Sequence, residues 1–173
     1  MKALLFLLLL GTSAACRRDK IEVRREPKDA PARSHGLTWT TPAGWKEKPG
    51  DGMRVATFEL PKGPGKAEAT IVALPGDVGG ELANVNRWRG QLALPPIAAV
   101  SLAGARVNVP SAAGSVAVYD FTGAGKAPPR LVVGMIQVDG TLWFLKLMGA
   151  KDAVAAAKPA FLKMLQGLKP DAS

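Results

Sequence analysis

The chain has 173 residues, 47% of them hydrophobic and 21% charged, which suits one packed domain and excludes wholesale disorder. One cysteine excludes an internal disulfide and any multi-cysteine zinc site, and one histidine, His35, removes most acid–base and His-ligated metal chemistry. A formal net charge of +9 asks for a polyanion nearby, and the segment that precedes the domain decides which kind.

Residues 1–15 read as an export leader. Met1-Lys2 is a short positive stretch, and Ala3 to Leu10 is an apolar run of eight residues. That is less than half of the ~20 residues a helix needs to span a bilayer, so the run suits a signal peptide and not a permanent anchor. Gly11-Thr12-Ser13-Ala14-Ala15 then leads into Cys16. Ser-Ala-Ala-Cys closing an apolar run resembles the lipobox of bacterial lipoproteins, with Ser13 where that box usually has leucine. The resemblance implies cleavage before Cys16, a thioether-linked diacylglycerol on its sulfur and an acyl chain on the new amino terminus. With ~0.8 kcal/mol per buried methylene, more than one acyl chain makes attachment effectively permanent. The other reading is a secreted chain cut after Ala15 with Cys16 as a free thiol. Arg17 stands where an Asp would mark inner-membrane retention in enterobacterial lipoproteins, so the outer membrane, facing the periplasm, is the expected address.

Residues 16–36 read as a disordered basic tether, with seven basic against four acidic residues and no apolar period. Twenty such residues have an r.m.s. span of about 25 Å. They serve as a spacer or adhere to anionic lipid beside the anchor. His35, at the end of the tether, is expected exposed and not a ligand. Residues 37–168 are the globular domain and 169–173 a tail. The chain from Leu37 onward still carries fifteen basic against ten acidic residues. Behind an export signal, the polyanion is an anionic lipid, a cell-wall polymer or an acidic protein, and not nucleic acid. Nucleic-acid binding also wants basic and aromatic residues clustered on one surface, and the four tryptophans are scattered.

Turn residues cut the domain into short pieces. Leu37 to Trp45 is extended with a turn at Thr41-Pro42-Ala43. Met53–Leu60 and Ala67–Leu74 alternate like strands across the breaker-rich Pro61-Lys62-Gly63-Pro64-Gly65. Val78 to Leu92 has helical spacing, with Asp77 as N-cap; Leu82, Val85, Trp88 and Leu92 should face a sheet and Asn84, Arg87 and Gln91 the opposite side. Gly114–Phe121 is a further strand. Leu131–Val138 and Thr141–Met148 form a hairpin about Asp139-Gly140, a pair suited to the positive φ angles of a type I′ turn. Trp143, Leu145 and Leu147 lie on one face of its second strand and Leu142, Phe144, Lys146 and Met148 on the other, so the strand should be covered on both sides. Asp152 to Gln166 is a second helix with the stripe Val154, Ala157, Phe161, Leu165 and Leu168, Gly167 as C-cap, and a kink or break at Pro159. The fold class is α+β: an antiparallel sheet sandwiched by helices.

Three stretches carry a likeness. TWTTPAGW near residue 40, LPGDVGGELANVNRWRGQLALPP in the middle and DGTLWFLKLMGAKDAVAAAKPAFLKML near the end resemble bacterial lipoproteins with PsbP-like domains. That fold is shared by the extrinsic PsbP subunit of photosystem II and a yeast Ran-binding import factor. The likeness implies an α/β/α sandwich over most of residues 37–168, and an accessory or binding role without catalysis of its own.

The densest polar constellation is Asn84, Asn86, Arg87, Arg89 and Gln91 around Trp88, preceded by Gly79-Gly80. Asn and Arg on one helix hydrogen-bond carboxylates, phosphates or sugars, and Trp and Arg anchor protein interfaces. Two glycines at a helix start let backbone amides approach an anion, although GDVGG lacks the Lys-Ser/Thr of a phosphate loop. The competing reading has Asn86 and Arg89 tying the helix to neighbouring loops, with Trp88 in the core. Asp77 with Glu81 could pair as carboxylates, but helix-start charge accounts for both. No catalytic residue, metal site or cofactor is expected. The expected function is a membrane-anchored envelope lipoprotein, held through Cys16, whose domain docks an envelope protein on the Asn84–Gln91 helix face. The alternative is a carrier of a small anion or glycan, or a cryptic hydrolase, with its pocket at Gly79-Gly80.

Overall fold

The computed structural model describes residues 36–76 and 78–171; the leader, Cys16, the tether with His35, and Asp77 lie outside the described residues. In chain order come β1 (Leu37–Thr38), β2 (Lys46–Pro49), β3 (Arg54–Glu59), β4 (Ala67–Pro75), α1 (Gly80–Gln91), α2 (Ala99–Ala105), β5 (Val107–Ser111), β6 (Gly114–Thr122), β7 (Pro129–Val138), β8 (Thr141–Ala150), α3 (Lys151–Gln166) and β9 (Lys169–Pro170). Seven strands make one antiparallel sheet in the order β2-β3-β4-β8-β7-β6-β5. Lys169 and Pro170, expected as the start of a tail, pair with Thr38 and Leu37.

The β7–β8 hairpin is the centre of the sheet. Asp139 (φ 47°) and Gly140 (φ 73°) both take the positive φ that a type I′ turn demands. Register follows from that turn, with Val138 opposite Thr141 and Gly134 opposite Leu145. The two faces of β8 then split as the alternation requires. Trp143, Leu145 and Leu147 pack with Val154, Phe161, Met164 and Leu165 of α3. Phe144 packs on the other side with Val85, Trp88 and Leu92 around α1. The α+β fold with an antiparallel sheet between helices is thus the observed architecture.

Edge chemistry explains where the sheet stops. All four residues of β2, Lys46, Glu47, Lys48 and Pro49, are exposed. Charge and proline on a short strand discourage pairing with another chain. Pro110 within β5 has the same effect at the opposite edge. Four elements escaped sequence reading: β2, α2, β5 and β9. β2 has no apolar alternation because it is exposed on both faces, and α2 buries none of its seven residues. Pro159 does not break α3, which runs on as one element of 16 residues. Pro159 is exposed there, so its ring meets no packed neighbour and the apolar stripe holds the helix together across the missing backbone bond.

Candidate functional site

At the start of α1 the sequence expectation needs correction. The N-cap is Gly79 (φ 86°), not Asp77, and no side chain caps the helix. Asn84 supplies the missing order from inside. Its amide donates to the carbonyls of Val78 at 3.1 Å and Gly80 at 2.7 Å, and its Oδ1 accepts from Arg87. Asn84 is only 1% exposed, so it is not on the outward face with Arg87 and Gln91. The reason is Trp88. Burying that indole against Tyr119 and Phe144 draws the residue four places earlier under the helix, and Leu82 is left half-buried to the side. A buried amide needs partners, and the helix-start carbonyls provide them.

Asn86 and Arg89 serve the loop after the helix. Asn86 both donates to the Ile97 carbonyl (3.0 Å) and accepts from the Ile97 amide (2.8 Å). Arg89 donates to the Pro95 carbonyl at 2.8 Å and stacks its guanidinium 5.3 Å from the Phe121 ring centre. Of the residues expected to form a binding surface, Asn84, Asn86, Trp88 and Arg89 are therefore spent on the fold. Arg87 and Gln91 remain exposed. Arg87 is also held in place, by Asn84 and by the Phe144 ring 5.9 Å away.

Arg87 borders a feature that sequence reading missed. α1 packs over β6, β7 and β8, through Tyr119, Val133 and Phe144. Beside it, the β2–β3–β4 part of the same sheet face carries a polar row that runs onto β8, while Val72 and Leu74 of β4 pack against the α1 cluster. Lys48, Thr57, Thr70 and Lys146 stand side by side, each directly opposite the next across adjacent strands. Lys146 is half-buried, and its pKa is lowered by burial first and then by the Arg87 and Arg54 guanidiniums. The nearby carboxylates are engaged elsewhere: Glu59 by Lys48, and Glu68 by Arg54 at 3.8 Å. Among the described residues, no carboxylate pairs with Lys146 or Arg87. Lys146 had been read only as one polar residue on an apolar strand face; the strand order needed to see its neighbours is not in the local pattern.

The remaining ionisable groups are structural. Glu81 accepts from the Tyr119 hydroxyl and from Arg106 Nη1 at 3.2 and 3.3 Å. Burial first, then the Glu81 bond, pushes the Tyr119 phenol well above its ordinary range, so it stays a proton donor. On the opposite side, Asp120 accepts from Arg130 at 2.8 and 2.6 Å and from Lys158 at 2.7 Å, tying α3 to β6 and β7. Burial raises the Asp120 pKa, but the two cations outweigh it and hold the carboxyl below its ordinary value. Two hollows among the described residues bear on the site. One of about 490 Å³ lies beside Gly80, with Glu81, Gln137 and Leu142 in its wall. The other, about 430 Å³, runs between Trp45, the 61–66 loop and the alanine face of α3. Among the described residues no cluster of His, Cys, Asp or Glu has metal-site geometry, and no helix is long and apolar enough to cross a membrane.

No protein-family model matches the chain, and no curated protein matches it. Among solved structures it is similar to LpqN, described as involved in cell envelope biogenesis of Mycobacterium tuberculosis. That match has 16% identity and a TM-score of 0.47, and covers 78% of this chain and 82% of that one. It is also similar to the cyanobacterial PsbP, CyanoP, of Synechocystis, at 13% identity and a TM-score of 0.45 over 86% of this chain and 98% of that one. The PsbP likeness read from the sequence thus recurs among structures. At TM-scores below 0.5 neither match says anything about ligands, partners or location.

Proposed function

We propose that the chain is an envelope lipoprotein, anchored through Cys16, whose domain binds a partner and performs no catalysis. The observation that carries the binding role is Arg87. It is exposed, held by Asn84 and Phe144, and stands at the margin of the part of the sheet face that α1 leaves to the polar row. A pre-positioned arginine loses little entropy on docking, and arginine is enriched where interfaces derive most of their affinity. The docking surface is therefore the Arg87 margin of α1 with the open half of the sheet, and not the whole Asn84–Gln91 face. The anchor rests on the leader and the Ser-Ala-Ala-Cys segment. An outer-membrane address rests on Arg17 alone.

Crosslinking in the cell from position 91 tests the docking surface. A defined adduct from position 91 that Arg87→Ala abolishes in a chain of unchanged melting temperature supports it; partner pull-down undiminished by Arg87→Ala with Gln91→Ala sinks it. Cys16→Ser should move the protein out of the membrane fraction, and an intact mass showing an unmodified thiol would remove the anchor.

The alternative, a carrier site at Gly79-Gly80, has one observation in its favour: a hollow opens beside Gly80. The Glu81 and Gln137 side chains in its wall suit the hydroxyls of a neutral glycan better than an anion. A thermal-shift panel of sugars that leaves melting unmoved would retire this reading.

A further inference from the structure

We infer that Lys146, Arg87 and Arg54 form a binding site for a phosphate group on the open half of the sheet. The site rests on the proposed function in one respect, that this face is where the domain binds.

Three elements bring these groups to one part of the face. Lys146 stands on β8 opposite Thr70. Arg87 of α1 lies 5.9 Å over the Phe144 ring, two residues before Lys146, and Arg54 of β3 reaches Glu68, two residues before Thr70, at 3.8 Å. The charged neighbours on this face are Lys46 and Lys48 from β2, Glu59 from β3 and Glu68 from β4. Five cations thus face two carboxylates; Glu59 pairs with Lys48, and Glu68 lies 3.8 Å from Arg54, a contact that an arriving phosphate would replace. A half-buried ammonium without a counter-charge is unfavourable in an empty fold, and hydrophobic neighbours such as Val133 would accept an aliphatic side chain at that position. An anion arriving at Lys146 removes that penalty.

The chemistry selects phosphate over carboxylate. A carboxylate brings one charge and two oxygens in a plane. A phosphate ester brings up to two charges, and its oxygens point in tetrahedral directions, so an ammonium and two guanidiniums from three separate elements can each donate to it. Arg87 keeps most of its donors while one of its amino groups is bonded to Asn84. Thr70, directly opposite Lys146, adds a hydroxyl on the same face. The phosphate comes either from a small soluble ester or from the headgroup of an anionic phospholipid, and the same three side chains would receive both.

The test uses the full-length chain with Cys16→Ser throughout, so that no acyl group contributes to membrane binding. Melting is followed in inorganic phosphate and in chloride of equal ionic strength. Flotation is measured with phosphatidylcholine vesicles, with and without phosphatidylglycerol. Any contribution of the apolar leader is common to every variant and cancels. The expected result is a phosphate-dependent rise in melting temperature, capture by phosphatidylglycerol vesicles, or both. Either effect should weaken about tenfold or more in Lys146→Met and in Arg87→Gln, because each removes a charge-assisted contact. A shift with free phosphate assigns the site to a soluble ester; capture by anionic vesicles alone assigns it to a headgroup. Lys146→Met should itself melt no lower than the parent in chloride, so lost binding cannot be put down to unfolding. Phosphate acting no differently from chloride together with equal flotation on both vesicles overturns the inference, as does full binding by Lys146→Met. If those results coincide with a partner crosslinked from position 91, the phosphate site fails while the docking role stands.

Discussion

Asn86 illustrates how one amide can organise a loop. Its side chain meets both the N–H and the C=O of Ile97, so the stretch between α1 and α2 is fastened without secondary structure of its own. Asn86→Ala leaves both Ile97 groups to seek water and should cost about 1–3 kcal/mol in urea unfolding, whereas the exposed Gln91→Ala should stay within about 0.5 kcal/mol. Asp120 makes the pH prediction. Its folded pKa is depressed below its ordinary value of 3.8, so its stabilisation is present in full above that value and is lost as the pH falls through the folded one. Asp120→Asn should remove about 1–2 kcal/mol at neutral pH, a figure discounted for partial solvent access, and should flatten the acid limb of a melting-temperature profile. An equally steep acid limb in the variant would show that other carboxylates dominate. Each of these roles was only half visible in the sequence. Asn86 and Arg89 were read as either ligand-binding or loop-tying because an asparagine on a helix looks the same in both cases. Only the position of Ile97 and Pro95 in space decides.

Among the elements, β7 and β8 were fixed locally and α1 was not. Asp139-Gly140 dictates the turn, the turn dictates register, and register assigns every side chain of the hairpin to a face. Gly134 in β7 then marks where α3 rests. A Cβ there would lie 2.9 Å from Leu165 Cδ1 and 3.0 Å from Val116 Cγ1, closer than carbon atoms pack. Gly134→Ala should destabilise the fold by about 1–3 kcal/mol through overpacking, measurable as a lower urea midpoint with unchanged slope. α1 was harder to read. Its apolar stripe is Val85, Trp88 and Leu92, and one buried asparagine completes it. Periodicity counts apolar residues, so it selected Leu82 for the buried face and sent Asn84 outward. The real helix buries Asn84 because Trp88, four residues on, is buried on the same side, and the carbonyls of Val78 and Gly80 then partner its amide.

At the scale of the whole molecule, the two faces of the sheet are covered unequally. α3, Trp45 and Phe58 close one face, where the core extends from Ala56 and Ala69 across to Val116 and Val109. On the other, α1 covers the β6–β8 side as far as Phe144, with Val72 and Leu74 of β4, and leaves a row of Lys48, Thr57, Thr70 and Lys146 running from β2 to β8. Part of the net positive charge read from composition, five cations against two carboxylates, is therefore gathered on this face. Removing one of those cations by Lys146→Met should raise the melting temperature in chloride, because the stability now lost to an uncompensated, half-buried charge would be recovered.

The sequence by itself determined the strand–turn–strand units, the amphipathic α3 and the α+β class, because each depends on residues within one turn or one alternation of each other. It also carried the apolar run and the Ser-Ala-Ala-Cys segment on which the proposed anchor rests, a linear pattern that needs no fold to be read. Tertiary structure alone decided that Asn84 is internal, that β2 and β9 complete sheets, and that Lys146, Arg87 and Arg54 fall on one part of the sheet face. Those three lie on elements separated by up to 92 residues of chain. No local period relates them; strand order and the limited reach of one twelve-residue helix across a seven-stranded sheet do.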